Sequence, residues 1–124
     1  MGRQVFSGGI RLYLKCRSTP ALSKPEKMVI VYLERLNVFG NKHANARKSL
    51  ATWKADTQRA IWKNRFDVLK DFPRAKMIAN NRARFEIVHN VYRLIGYIDY
   101  MDQVVEVRFI GTHSEYDRID PETI

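Results

Sequence analysis

The chain has 124 residues, 45% hydrophobic and 11% aromatic, with a formal charge of +9 and a pI near 9.9. That length gives one domain with a real core and excludes a second, while the apolar content excludes a chain that stays disordered. A single cysteine, Cys16, excludes an internal disulfide or a Cys-based zinc site and implies a reducing, cytoplasmic compartment. The sequence has neither an apolar run of about 18 residues nor a secretory h-region, so no segment of it is expected to span a membrane.

The charge is uneven. Residues 1–27 carry six Lys/Arg against one acid, residues 28–98 fourteen against five, and residues 99–124 two against seven. A basic middle (+9) and an acidic end (−5) fit a cationic groove for a polyanion, with nucleic acid ahead of a membrane surface; they also fit a solvated surface of mixed charge.

In chain order, residues 1–27 contain Gly8-Gly9, Pro20 and Pro25 and read as a disordered or non-native extension to a domain spanning 28–124. Val29-Ile30-Val31-Tyr32 suits an edge strand. Leu33, Leu36 and Phe39 follow at helical spacing, and Gly40-Asn41 is expected to end that helix. From about Ala44 to Trp62, an amphipathic helix places Ala46, Leu50, Trp53, Ala60 and Ile61 on one stripe, with the tryptophans in the core. Asn64 is an N-cap with Asp67 three residues on, opening a short helix that Pro73 stops. A strand near Lys76 to Asn80 enters an Asn80-Asn81 turn, whose amide side chains tolerate positive φ.

Three alternating strands come next. Two-residue turns at His89-Asn90 and Met101-Asp102 pair Val88 with Val91, Glu86 with Arg93, Arg84 with Ile95, Ile95 with Arg108 and Arg93 with Ile110. Because directly paired residues share a side of the sheet, Arg84, Glu86, Arg93, Ile95, Tyr97, Glu106 and Arg108 are expected on one face. Phe85, Ile87, Tyr92, Leu94, Ile98, Val105, Val107 and Phe109 form the opposite, core face. The charged face has two readings. One is a lattice of Glu86/Arg93 and Glu106/Arg108 ion pairs, each contributing about 0–1 kcal/mol; the other is a guanidinium clamp on a phosphate.

Gly111 allows a tight exit from the third strand, and Thr112 with Glu115 matches the S/T-x-x-E capping box. His113 then falls in the first helical turn, where the positive helix end disfavours imidazolium, and Tyr116 lies three residues on, on the same side. A lone histidine in such a turn serves structure or acid/base chemistry.

The segments N-N-R-A-R-F-E-I at 80–87, N-x-Y-R-L-I at 90–95 and R-F-I-G-T-H-S-E-Y-D-R-I at 108–119 resemble the HigB family of toxins, mRNA interferases related to the RelE group. The resemblance implies a small α+β RelE-like fold with N-terminal helices packed on one face of a mostly antiparallel sheet and RNA on the other. It implies metal-independent endonucleolytic cleavage of mRNA on the ribosome, no cofactor, and neutralisation by a HigA-type helix-turn-helix antitoxin through which DNA is contacted only indirectly. On this resemblance His113, Tyr116, Arg93 and Arg84 are candidate catalytic residues; Glu86 joins them as an alternative base because the arginine opposite would keep it ionised, and Arg82, Arg84, Arg93 and Arg108 are expected to bind RNA phosphates. His89 departs from the turn glycine common in the family. The alternative is a non-catalytic RNA- or ribosome-binding module using the same arginines.

Overall fold

The structure, a computed structural model, describes residues 27–124. Apart from Lys27, the expected extension with its Cys16 lies outside the described residues. In order, the elements are β1 (Val29–Val31), α1 (Glu34–Lys42), a 3-10 turn (Ala44–Ala46), α2 (Arg47–Arg59), α3 (Arg65–Asp71), β2 (Lys76–Ile78), β3 (Arg82–Ile87), β4 (Tyr92–Asp99), β5 (Val104–Thr112) and α4 (His113–Tyr116). The five strands form one mixed sheet, ordered β1-β5-β4-β3-β2, in which only β1 pairs in parallel. This is the α+β architecture the sequence implies.

The helices bury one face of that sheet. Leu50, Trp53 and Thr57 recur at i, i+3 and i+7 along α2 and are 5%, 3% and 0% exposed. They meet Phe85, Ile87, Tyr92, Leu94, Ile98, Val105 and Val107 in one core. Both tryptophans belong to it: Trp53 and Trp62 each pack on Phe85, and Trp62 Nε1–H donates to Asp71 Oδ2 at 2.8 Å. Placing these rings in the core removes them as exposed stacking platforms.

Helix ends differ from expectation where tertiary contacts override local signals. Gly40 does not stop α1, which runs through Lys42; its carbonyl accepts from Arg47 Nε at 3.0 Å, so the helix continues under α2. The single helix expected from Ala44 to Trp62 is instead the 3-10 turn and then α2. The chain turns extended at Ala60 (ψ 154°), leaving Ile61 exposed while Trp62 is buried. Asn64 caps α3 as expected, accepting from the Phe66 and Asp67 N–H groups. Asn80 and Asn81 both take positive φ, at 63° and 62°.

β3 pairs with β4 in the expected register, with Arg84 opposite Ile95 and Glu86 opposite Arg93. Val91 N–H donates to Val88 O, the bond that closes a turn centred on His89-Asn90 as expected, but positive φ falls on Val88 (52°) and His89 (56°) rather than on both central residues. The second hairpin keeps its expected register from Asp99↔Val104 to Gly96↔Val107, although its left-handed residue is Gln103.

Beyond Gly96 the register shifts by one. Ile95 pairs with Phe109 and Arg93 with Gly111, rather than with Arg108 and Ile110. Arg108 is the extra residue of a β-bulge, which bends the strand and re-aims the side chains beyond it. Phe109 consequently joins the arginine face, and Ile110 packs against the core in its place. Arg35 of α1 holds the bulge: its Nη1 donates to Val107 O at 2.8 Å and Arg108 O at 3.3 Å, just past Val31↔Glu106, where β1 stops supplying partners. Among the described residues no helix is long and apolar enough to cross a membrane, and no group of three or more His, Cys, Asp or Glu side chains could hold a metal ion.

Candidate functional site

Alternation along β3 puts Arg82 and Arg84 on the face away from the helices, and pairing adds Tyr97 and Arg93 from β4 and Glu106 from β5. The bulge brings Arg108 to Tyr97, and α4 lays Tyr116 across the same face. Two clusters result, each a tyrosine ring flanked by two guanidinium groups. Over Tyr116 lie Arg93 at 4.9 Å and Arg84 at 5.8 Å from the ring centroid; over Tyr97 lie Arg108 at 5.0 Å and Arg82 at 5.4 Å. Cation–π contact holds each guanidinium group over a ring without neutralising its charge.

The clusters differ in their hydrogen bonds. Arg93, 8% exposed, donates from Nε to Asn90 Oδ1 at 3.2 Å, and Arg84 Nε is buried with no hydrogen-bond partner among the described residues. Glu86 stands opposite Arg93 in the ladder, yet no ion pair joins them. Of the two ion pairs in the expected lattice only Glu106–Arg108 forms, at 2.9 Å. In the Tyr97 cluster, Arg82 Nε and Nη2 donate to the Ile124 main-chain oxygen at 3.0 and 2.7 Å, and Arg108 Nη1 reaches the same atom at 3.4 Å.

Thr112 and Glu115 make the full capping box: Glu115 N–H donates to Thr112 Oγ1 at 3.2 Å and Thr112 N–H to Glu115 Oε1 at 2.8 Å. That main-chain N–H, foremost, holds the Glu115 carboxyl below its ordinary range, with a further contribution from nearby His43. Gly111 is needed here because a Cβ on it would lie 2.6 Å from the Phe109 ring and 2.9 Å from Glu115 Oε1. The box orients α4 so that Tyr116 covers the arginines. His113 points elsewhere. Its side chain is 54% exposed, and its Nδ1 lies 3.3 Å from Asp117 Oδ2.

Arg82, Arg84, Arg93, Arg108 and Tyr116 are therefore assembled on one face, with Glu86 at its edge and His113 turned toward Asp117. Four contributors escaped the sequence. Arg35 and Asn90 carry no motif that marks them as supports of Arg108 and Arg93. Ile124 gives no sign that its main-chain oxygen meets the arginines. His43 stacks on Phe39 at 4.3 Å, and the Tyr92 hydroxyl donates to Asn45 Oδ1 at 2.8 Å. With its proton committed there, Tyr92 can only accept from His43 Nδ1, at 3.4 Å.

No curated protein matches the chain. The family model of the HigB toxin, described as the RelE-like toxic component of a toxin-antitoxin system, matches residues 46–119, more than half of the sequence. That span takes in α2, α3, β2, β3, β4, β5 and α4, most of the core, and both arginine clusters apart from Ile124. The chain belongs to the HigB toxin family, the RelE-like toxic components of toxin-antitoxin systems.

Proposed function

We propose that the chain is an endonuclease that cleaves mRNA on the ribosome without a metal ion, in the cytoplasm, and that a HigA-type helix-turn-helix antitoxin neutralises it. The observation that carries this reading is the Tyr116 cluster: two guanidinium groups held over one ring, with no carboxylate paired to them and one buried Nε unpartnered among the described residues. Leaving a buried donor unsatisfied costs about 1–3 kcal/mol, and a phosphate oxygen would remove that cost.

In the reaction, the ribose 2′-OH attacks the adjacent phosphorus. Its proton passes to a base, the P–O5′ bond breaks, and the 5′ oxygen takes a proton, giving a cyclic phosphate and a 5′-OH. Arg84 and Arg93 stabilise charge on the non-bridging oxygens. The Tyr116 hydroxyl orients the phosphate or donates to the leaving oxygen, and His113 moves a proton, with Glu86 the alternative base. Arg82 and Arg108 hold flanking phosphates.

The exposure of His113 and its contact with Asp117 favour a second reading, a module that binds RNA or the ribosome without cutting. Primer extension on a defined mRNA, with and without ribosomes, separates the two. The nuclease reading expects discrete new 5′ ends from the wild type and a loss of at least about 100-fold for His113→Ala, with little signal from Arg93→Ala. Intact transcripts in the presence of ribosomes would leave the binding module.

A further inference from the structure

Segment 120–124 crosses the arginine face and closes the Tyr97 cluster. Its main chain is self-bonded, Thr123 and Ile124 N–H both donating to Asp120 O at 3.1 and 3.0 Å. Asn80 Nδ2 clasps it at Glu122 O, at 3.1 Å. The result is three N–H donors from two guanidinium groups around the one Ile124 oxygen, while Arg82 Nη1 donates to Asn80 O at 3.0 Å. A planar fork converging with a second guanidinium on one oxygen is the arrangement by which arginines bracket a phosphate. Here a main-chain oxygen fills it.

We infer that Arg82, Arg108 and Tyr97 form a second phosphate subsite for single-stranded RNA, and that segment 120–124 occupies it until RNA displaces it. The inference rests on the proposed RNA-cleaving function and adds to it a register and a form of self-inhibition. Arg82 and Arg84 are two residues apart on one face of β3, about 7 Å along the strand, so phosphates neighbouring along one strand can engage the two clusters together. The segment also carries the exposed carboxylates of Asp120 and Glu122, which offset the cationic face in the absence of RNA and are repelled by a phosphodiester arriving beside them.

The test uses the full chain and a 2′-O-methyl RNA oligonucleotide, which lacks the 2′-OH nucleophile and is not cleaved. Fluorescence anisotropy across a salt series should show wild-type binding. Arg82→Gln should weaken it about 5- to 10-fold, as expected for the loss of one charged contact worth about 1–1.4 kcal/mol. The same variant should lower the steepness of log K against log salt by about 0.7, the increment for one single-strand phosphate. Asn80→Gly, which tolerates the positive φ, keeps the main-chain oxygen that accepts from Arg82 Nη1 and removes the clasp on Glu122 O, should bind more tightly than wild type. The NMR resonance of the Asn80 side-chain amide, which donates to Glu122 O, should shift in the wild type on saturation with the oligonucleotide.

Unchanged affinity and slope in Arg82→Gln, or an unshifted Asn80 side-chain amide at saturation, overturns the subsite. Should Arg82→Gln melt below the assay temperature, Asn80→Gly decides: equal or weaker binding counts against displacement. Arg84→Gln tests the reading underneath. If it binds like wild type while Arg82→Gln does not, the Tyr116 cluster fails and the subsite stands; no binding by the wild type sinks both.

Discussion

The two arginine clusters are built from the same parts and differ in what meets them. Each stacks two guanidinium groups on a tyrosine, but Tyr97 and its arginines have Glu106 and a main-chain oxygen, whereas Tyr116 and its arginines have one asparagine and an unsatisfied Nε. A tyrosine ring fixes where a guanidinium lies and leaves its N–H groups available. Whether such a group holds the fold or a ligand is decided by the oxygens around it.

That contrast can be broken most sharply by charge removal. Arg93→Ala is expected to lower cleavage by about 100- to 1,000-fold, the effect of deleting a donor to a developing oxyanion. Arg82→Ala should cost only about 10-fold through binding, measured as kcat/KM on one transcript. Equal losses would merge the two clusters into one site.

Smaller changes sharpen it through the supports. Gly111→Ala drives a methyl group into the Phe109 ring and the Glu115 carboxylate, so it should destabilise the fold by about 1–3 kcal/mol and displace α4. Thermal melting and loss of Tyr116 contacts by NMR would check this. Arg35→Ala frees the Val107 and Arg108 carbonyls at the bulge. A loss of about 1 kcal/mol is expected in denaturant unfolding, with amide shifts confined to 106–110; shifts centred on the Tyr116 cluster would contradict the role given to Arg35.

The smallest effect is with pH. Because the folded-state value of Glu115 lies below its unfolded one, its contribution is present above the ordinary carboxylate range, about pH 4.3, and fades as pH falls through the lowered value. Solvent exposure keeps that contribution small. The Thr112 and Glu115 amides should lose hydrogen-exchange protection in acid before the core does, and Glu115→Gln should remove the pH dependence at those amides.

Much of this architecture is legible in the sequence because it is local. Period-2 alternation in β3 and β4 separates Arg84 and Arg93 from Phe85 and Leu94, as the pleat requires. The Asn80-Asn81 turn, the Asn64 cap and the Thr112-Glu115 box depend on side chains reaching their own neighbouring backbone. The first hairpin keeps its pairing even though positive φ moves to Val88 and His89, because a one-residue slip would turn Phe85 and Ile87 out of the core.

The sequence by itself therefore determined the elements, the α+β class and the face on which Arg82, Arg84 and Arg93 stand. Tertiary structure decided the second half of β5. Along Arg108-Phe109-Ile110, either Phe109 or Ile110 can fill the core face, so hydrophobic alternation sets no register there. The choice fell to the end of β1 at Glu106 and to Arg35, 72 residues away from Val107, which takes the bulge carbonyls. That distant hydrogen bond helps hold Arg108 over Tyr97 and Phe109 beside Tyr116. Segment 120–124 then brings a main-chain oxygen to one cluster, while in the other Arg84 Nε has no partner among the described residues.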